Sequence, residues 1–335
     1  MAYVTKTDVG RKRDHNEDAS DAFDIRIKGV SYTVLVLADG MGGLEAGEIA
    51  SSMFVATVRS VLGEYANGRR KRWQMKKALQ EIFGEANRAI HRAGKDRRVA
   101  QMGTTGVVAL IDEMDCLLAW VGDSRAYHYH CRHDRLAQVS RDHSLVQSLV
   151  DAGRLSEQDA LIHPQRNVVL RGIGIDPEDG PPDMVRFGLR KGDMVLLCSD
   201  GLSNEVPRSF MERNCRMHVR DGNRPAKADN RTAADVSLPG GSSQVLSLDA
   251  VGDNLVRAAN DNGGKDNITV VIYESPGVSK AMAVLRGVLL GLTAVLLVVS
   301  VLVLLKTFAL DGGGGPGKQA APSGSAGQIP KNADK

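Results

Sequence analysis

The sequence predicts an α+β chain built on antiparallel sheets. Two observations carry that expectation: short apolar runs follow one another without regular crossover helices, and few long helical stripes remain to cover them. A third observation places chemistry on those sheets. Aspartates stand at strand ends or beside glycine or Asn, in Asn16-Glu17-Asp18, Leu37-Ala38-Asp39-Gly40, Val121-Gly122-Asp123-Ser124, Cys198-Ser199-Asp200-Gly201 and Lys265-Asp266-Asn267-Ile268.

In chain order, Tyr3–Asp8 and Tyr32–Asp39 read as strands on either side of the polar loop Arg11–Asp18. Leu44–Leu62 carries Ile49, Met53, Val58 and Leu62 at helical spacing, and Met75–Ala93 repeats the stripe with Leu79, Ile82, Phe83, Ala86 and Ile90. Thr104–Ile111, Asp115–Val121, Arg125–Tyr129 and Leu136–Val139 are short strands joined by turn chemistry. Ser144–Gly153 and Ser156–Ala160 read as short helices in an insert ahead of Val168–Leu170. Asp193–Ser199 and Asn267–Tyr273 supply the last strands, with Val251–Asn262 a helix between them. Across residues 218–247 the pattern fails, as in Arg220-Asp221-Gly222-Asn223 and Leu238-Pro239-Gly240-Gly241, and a flexible insertion is expected.

Gly287–Leu305 is nineteen residues without a charge, rich in Val and Leu, and long enough to span a hydrocarbon core. A transmembrane helix is expected there, after a juxtamembrane linker at 276–286 and before a Gly/Ala/Ser/Pro-rich tail at 306–335. Flanking charge orients the span weakly, and its tally leans toward an outside catalytic domain. A long folded domain does not follow that bias, and no signal peptide opens the chain, so residues 1–280 are expected in the cytoplasm of a single-pass inner-membrane protein. Four cysteines without CxxC spacing point to buried reduced thiols. A net charge of +3 is too near balance to argue for nucleic acid.

A strand that stops at a carboxylate and turns on glycine delivers that carboxylate to the rim of its sheet. Several can converge only with positive charge between them, and oxygen ligands favour hard cations, Mg²⁺ or Mn²⁺. Any single Asp beside Gly or Asn is also what a plain turn requires; five such aspartates in one chain, four of them after apolar runs, exceed that explanation. The basic run Arg69-Arg70-Lys71-Arg72 reads either as a solvated helix entrance or as a patch for anionic lipid.

The ordered motifs Arg13-Asp14-His15-Asn16-Glu17-Asp18, Asp39-Gly40-Met41-Gly42-Gly43, Gly103-Thr104-Thr105, Gly122-Asp123-Ser124-Arg125, Arg141-Asp142-His143-Ser144, Ser199-Asp200-Gly201-Leu202 and Gly264-Lys265-Asp266-Asn267-Ile268-Thr269 resemble the bacterial form of the metal-dependent Ser/Thr protein phosphatases, the type 2C (PPM) family, over residues 1–275. The resemblance implies a four-layer α/β/β/α sandwich of two antiparallel sheets flanked by helices. It implies two Mn²⁺ or Mg²⁺ ions, with Asp39 bridging them, the Gly40 carbonyl on one ion, and Asp200 and Asp266 completing the other. Glu17 and Asp18 would hold waters on the ions, and Arg13, whose planar fork grips two phosphate oxygens, would clamp the substrate.

Two positions depart from the family pattern. Met41 stands where eukaryotic relatives carry a histidine proposed as general acid, leaving His15, His143 or a water to protonate the leaving group. Asn204 stands where bacterial members commonly have an aspartate that helps Asp123 hold a third ion, so a third site here is expected to be weak. The function implied is hydrolysis of phosphoserine and phosphothreonine in phosphorylated proteins, opposing a bacterial Ser/Thr kinase from the bilayer surface. The alternatives are a non-catalytic phosphoprotein-binding module on the same fold, and a two-metal hydrolase of small phosphoesters.

Overall fold

The structure, a computed structural model, describes residues 2–42, 45–99, 101–113, 115–219, 246–277, 296 and 299–301. The chain divides into two compact units, Met1–Val278 and Ser279–Lys335.

In the first unit the strands are β1 (Tyr3–Asp8), β2 (Asp18–Ile27), β3 (Val30–Met41), β4 (Gly103–Thr104), β5 (Gly106–Ile111), β6 (Asp115–Val121), β7 (Arg125–His130), β8 (Arg135–Gln138), β9 (Asp183–Gly188), β10 (Met194–Cys198) and β11 (Ile268–Glu274). The helices are α1 (Glu45–Ala66), α2 (Met75–Arg97), α3 (Leu145–Asp151), α4 (Glu157–Ile162), α5 (Asp200–Ser203), α6 (Arg208–Val219) and α7 (Leu248–Asp261). One sheet has the order β1-β11-β10-β7-β8 and the other β2-β3-β5-β6-β9, with β4 paired to β3. Every pairing is antiparallel.

Three apolar layers make the sandwich. Leu35, Leu37, Val107 and Leu118 of one sheet meet Val195, Leu197 and Val271 of the other. Alternate residues Val34, Val36 and Ala38 face outward onto Phe54, Val58, Leu79 and Ile82 of α1 and α2. Leu196, Val270 and Ile272 likewise back onto Met211, Val251 and Leu255 of α6 and α7. Central strands covered on both faces explain why β3, β5 and β10 read as continuous apolar runs rather than alternating ones. The four-layer α/β/β/α sandwich is therefore as the resemblance implied.

Several boundaries differ from the sequence reading. β2, β9 and α6 were not foreseen. Val169 makes an isolated bridge to Ser144 rather than joining a sheet. The insertion expected at 218–247 begins later, because His218 and Val219 close α6, and it ends sooner, because Ser247 caps α7 by accepting the Ala250 N–H. The rest of that stretch lies outside the described residues, apart from Leu246. Among the described residues no helix is long and apolar enough to cross a membrane. The span expected at 287–305 lies outside them except for Leu296 and Val299–Val301, which are helical and exposed. The linker and tail also lie outside, apart from Pro276 and Gly277 at the linker's start.

Candidate active site

Three strand ends and two turns converge at one end of the sandwich. Asp39 lies near the end of β3, opposite Asp18 at the start of β2. Its backbone is fixed by threonines: the Asp39 N–H donates to Thr105 Oγ1 at 2.9 Å, and the Asp39 carbonyl accepts from the Thr105 N–H at 2.8 Å and Thr104 Oγ1 at 2.9 Å. Thr105 Oγ1 in turn meets Ser124 Oγ at 2.7 Å, tying the Asp39 strand to the turn that carries Asp123. Asp200 starts α5 directly after β10, and Asp266 precedes β11.

Gly40 has no room for a side chain, since a Cβ there would come within 2.2 Å of the Gly47 carbonyl oxygen and 2.6 Å of that of Glu17. Gly201 is equally constrained, its Cβ position lying 2.0 Å from the Asn267 carbonyl oxygen. The Arg11–Asp18 loop is latched by Asn267: its amide donates to the Val9 and His15 carbonyls at 2.8 and 2.9 Å, and its side-chain oxygen accepts the Glu17 N–H at 2.8 Å. That latch sets Arg13 beside the rim, where its guanidinium donates to Asp266 at 2.8 Å.

The electrostatics are lopsided. Burial, then Asp18, Asp200, Asp123 and Asp266, push the Asp39 carboxyl well above the usual carboxylate range. Asp18 rises to about 7, chiefly by burial, with hydrogen bonds from Thr269 and Ser199 opposing and Asp200 and Asp266 adding. Asp123 rises to about 7 through burial and Asp200, and Asp200 to about 6 through burial and Asp266. Asp18 Oδ2 accepts from Ser199 Oγ at 2.8 Å, whereas the buried Oδ1 has no hydrogen-bond partner. Crowded carboxylates, an orphaned buried oxygen and an all-oxygen donor set fit hard divalent cations.

Arg13, Glu17, Asp18, Asp39, Gly40, Asp123, Asp200 and Asp266 are thus all brought to one rim. Asn204 turns its amide to donate to Asp200 at 3.2 Å. His143 serves the scaffold: its Nδ1 accepts the Gly122 N–H at 3.1 Å, and burial holds its pKa below the usual value. His15 is exposed on the latched loop. Sequence reasoning did not single out Thr105, Ser199 or the latching role of Asn267, although all three stood within the quoted motifs. The neighbouring Arg125–Asp142 pair is bidentate, with contacts of 2.7 to 3.1 Å, and anchors the start of β7.

Residues 10–230 match the family model for protein phosphatase 2C. The chain belongs to that family. It is similar to the serine/threonine phosphatase stp of Listeria innocua, with 34% identity over 80% of this chain and 94% of the relative. It is also similar to protein phosphatase PhpP of Streptococcus pneumoniae, 33% identical over 79% of this chain and 94% of that one. Among solved structures, the Mycobacterium tuberculosis serine/threonine phosphatase PstP/Ppp superposes with a TM-score of 0.64 at 27% identity, covering 81% of this chain and 97% of that one. A PstP catalytic domain described in complex with two manganese ions superposes with a TM-score of 0.62 at 26% identity, covering 81% and 96%. Membership makes this chain a protein-serine/threonine phosphatase whose cofactor is Mn²⁺ or Mg²⁺.

Proposed function

We propose that this phosphatase hydrolyses phosphoserine and phosphothreonine in proteins with two divalent cations held at the rim, from a membrane anchor formed by residues 287–305, and opposes a Ser/Thr kinase. The convergence of five aspartates, with Arg13 the one cation ion-paired to them among the described residues, carries the reading. Asp39, the Gly40 carbonyl, Asp200 and Asp266 would hold the two ions, with Asp123 contributing to a weaker third. When bound, such ions supply charge neutralisation for the phosphoryl group and a lowered pKa for attacking water.

The chain's own residues do the rest. Arg13 is half exposed and reaches the rim from a loop, so its fork can exchange one Asp266 contact for two phosphate oxygens. Asp18 offers an unpartnered buried oxygen, and Glu17 a carboxyl raised by burial; both can accept hydrogen bonds from water and orient it. The Thr104–Thr105–Ser124 contacts keep Asp39 and Asp123 in register without ligation of their own.

The anchor rests on the uncharged Val/Leu-rich stretch 287–305 and the exposed apolar helical residues Leu296, Val299 and Val301. The buried thiols of Cys116, Cys198 and Cys215 support a cytoplasmic catalytic domain. Hydrolysis of a phosphothreonine peptide, with a nucleotide phosphate as control, tests the chemistry: peptide turnover that needs Mn²⁺ is expected, and preference for the nucleotide would return the small-phosphoester reading. A periplasm-dependent reporter at Lys335 should give signal and one at Ser279 none; the reverse removes the cytoplasmic placement.

A further inference from the structure

β7 and β10 run side by side from the carboxylate rim to the far end of the sandwich, with Cys198 opposite Arg125 and Met194 opposite Tyr129. Asp123 and Asp200 flank the rim ends of these strands. At the other end, about 17 Å away for five residue steps of roughly 3.3 Å, stand His128 and His130 of β7 and Asp193 just before β10. One ligand atom from each of the three lies within 4.8 Å of the others.

We propose that His128, His130 and Asp193 form a second metal site, remote from the rim, that takes a borderline divalent cation, Zn²⁺. Two imidazoles and one carboxylate form the donor type that zinc prefers over magnesium or manganese. His128 Nε2 lies 3.2 Å from Asp193 Oδ2. Two ligands about 2.0–2.1 Å from one tetrahedral ion sit about 3.3 Å apart, so this pair already has the required spacing.

The carboxylate is held for the purpose. Asp193 Oδ1 accepts the Cys131 N–H and Oδ2 the Arg190 N–H, each at 3.0 Å, which fixes its rotamer and direction. The His128 ring is wedged between the sheets against Phe187, with centroids 4.7 Å apart, and the His130 ring lies 3.8 Å from that of His128. His128 and Asp193 are 2% and 3% exposed, while His130 is half-buried and gives the ion a route in. Water takes the fourth position. On binding, His128 offers the Nε2 lone pair with its proton on Nδ1, and an imidazolium would give up one proton to solvent. The alternative is a purely structural His128–Asp193 hydrogen bond that ties the end of β7 to the turn before β10.

The test uses the full chain in excess Mg²⁺, so that the rim is loaded. Zn²⁺ is titrated in competition with a chromophoric chelator, and Co²⁺ is added separately for its visible spectrum. The expected result is one equivalent of tightly held Zn²⁺ and the intense absorption of tetrahedral Co²⁺ with nitrogen ligands. His130→Ala should weaken that equivalent at least tenfold and abolish the Co²⁺ band, while Mn²⁺-dependent turnover stays within twofold. Zinc binding unchanged by His130→Ala, or an octahedral Co²⁺ spectrum in the unaltered protein, overturns the proposal. Should His130→Ala fail to fold, His130→Gln makes the same comparison and the Co²⁺ spectrum decides without any variant.

Discussion

Acidic residues converge at the rim and around Arg70, and the two places solve the problem differently. In the helical layer Glu64, Glu81 and Glu85 all turn onto Arg70, with N–O distances of 2.7 to 2.9 Å, and Tyr65 adds a hydroxyl to Glu81 at 2.6 Å. Burial works against Glu81, yet its partners more than offset it and hold its carboxyl below the usual value. At the rim Asp18, Asp39, Asp123 and Asp200 have no such guanidinium clamp among the described residues, and all move upward. The chain supplies its own cation around Arg70, and leaves the charge open at the rim, where the proposed cations would bind. Arg70 also corrects one reading of the basic run, since its guanidinium is an internal clamp rather than part of a lipid-facing patch.

The contrast can be broken most strongly at the rim. Asp200→Ala should lower Mn²⁺-dependent turnover by about a thousandfold or more while the protein stays folded, because it removes a carboxylate that hard cations require. Steady-state kinetics with a phosphothreonine peptide check this, and a folded variant near the wild-type rate removes the assignment. Arg13→Ala is expected to lower kcat/KM by about one to two orders of magnitude, the loss of one charge-assisted phosphate contact worth roughly 1.5–3 kcal/mol.

In the helical layer the same kind of change should act on stability alone. Arg70→Ala leaves three glutamates facing one another and should cost about 1–3 kcal/mol in chemical denaturation, discounted for partial exposure, with kcat unchanged. Asn204→Asp is the subtlest test. It replaces an amide that donates to Asp200 with a further negative charge, so divalent-ion titration should show a tighter additional ion. An unchanged titration would mean that Asn204 has no bearing on ion binding.

Legibility in the sequence followed burial. β3, β5, β6, β10 and β11 were readable because both faces of central strands are covered, leaving unbroken apolar runs. β2 and β9 were not, because they are the edge strands of their sheet and carry charges such as Asp21, Asp24 and Arg186 among half-buried residues. A period-two signal at Phe23, Ile25 and Ile27 was nonetheless present. α6 buries only Met211, Asn214 and Cys215, too little apolar surface for a visible stripe. At the site, the aspartates announced themselves by ending apolar runs. The groups that hold the rim together did not, since Asn267 reaches Val9 and His15, and Ser199 reaches Asp18, across most of the chain.

Thermal unfolding of Asp39→Asn beside the wild type reads out whether the rim carries uncompensated negative charge that divalent cations neutralise. In chelator, the raised rim carboxyls make the folded state bind more protons than the unfolded one between about pH 4 and 7. Wild-type stability should therefore fall as pH rises through that window. Asp39→Asn should melt higher than wild type at pH 7.5 in chelator and show a shallower pH dependence. Added Mn²⁺ should raise the wild-type Tm by several degrees and barely move the variant. A variant that melts lower than wild type in chelator, yet gains as much from Mn²⁺, would contradict the account.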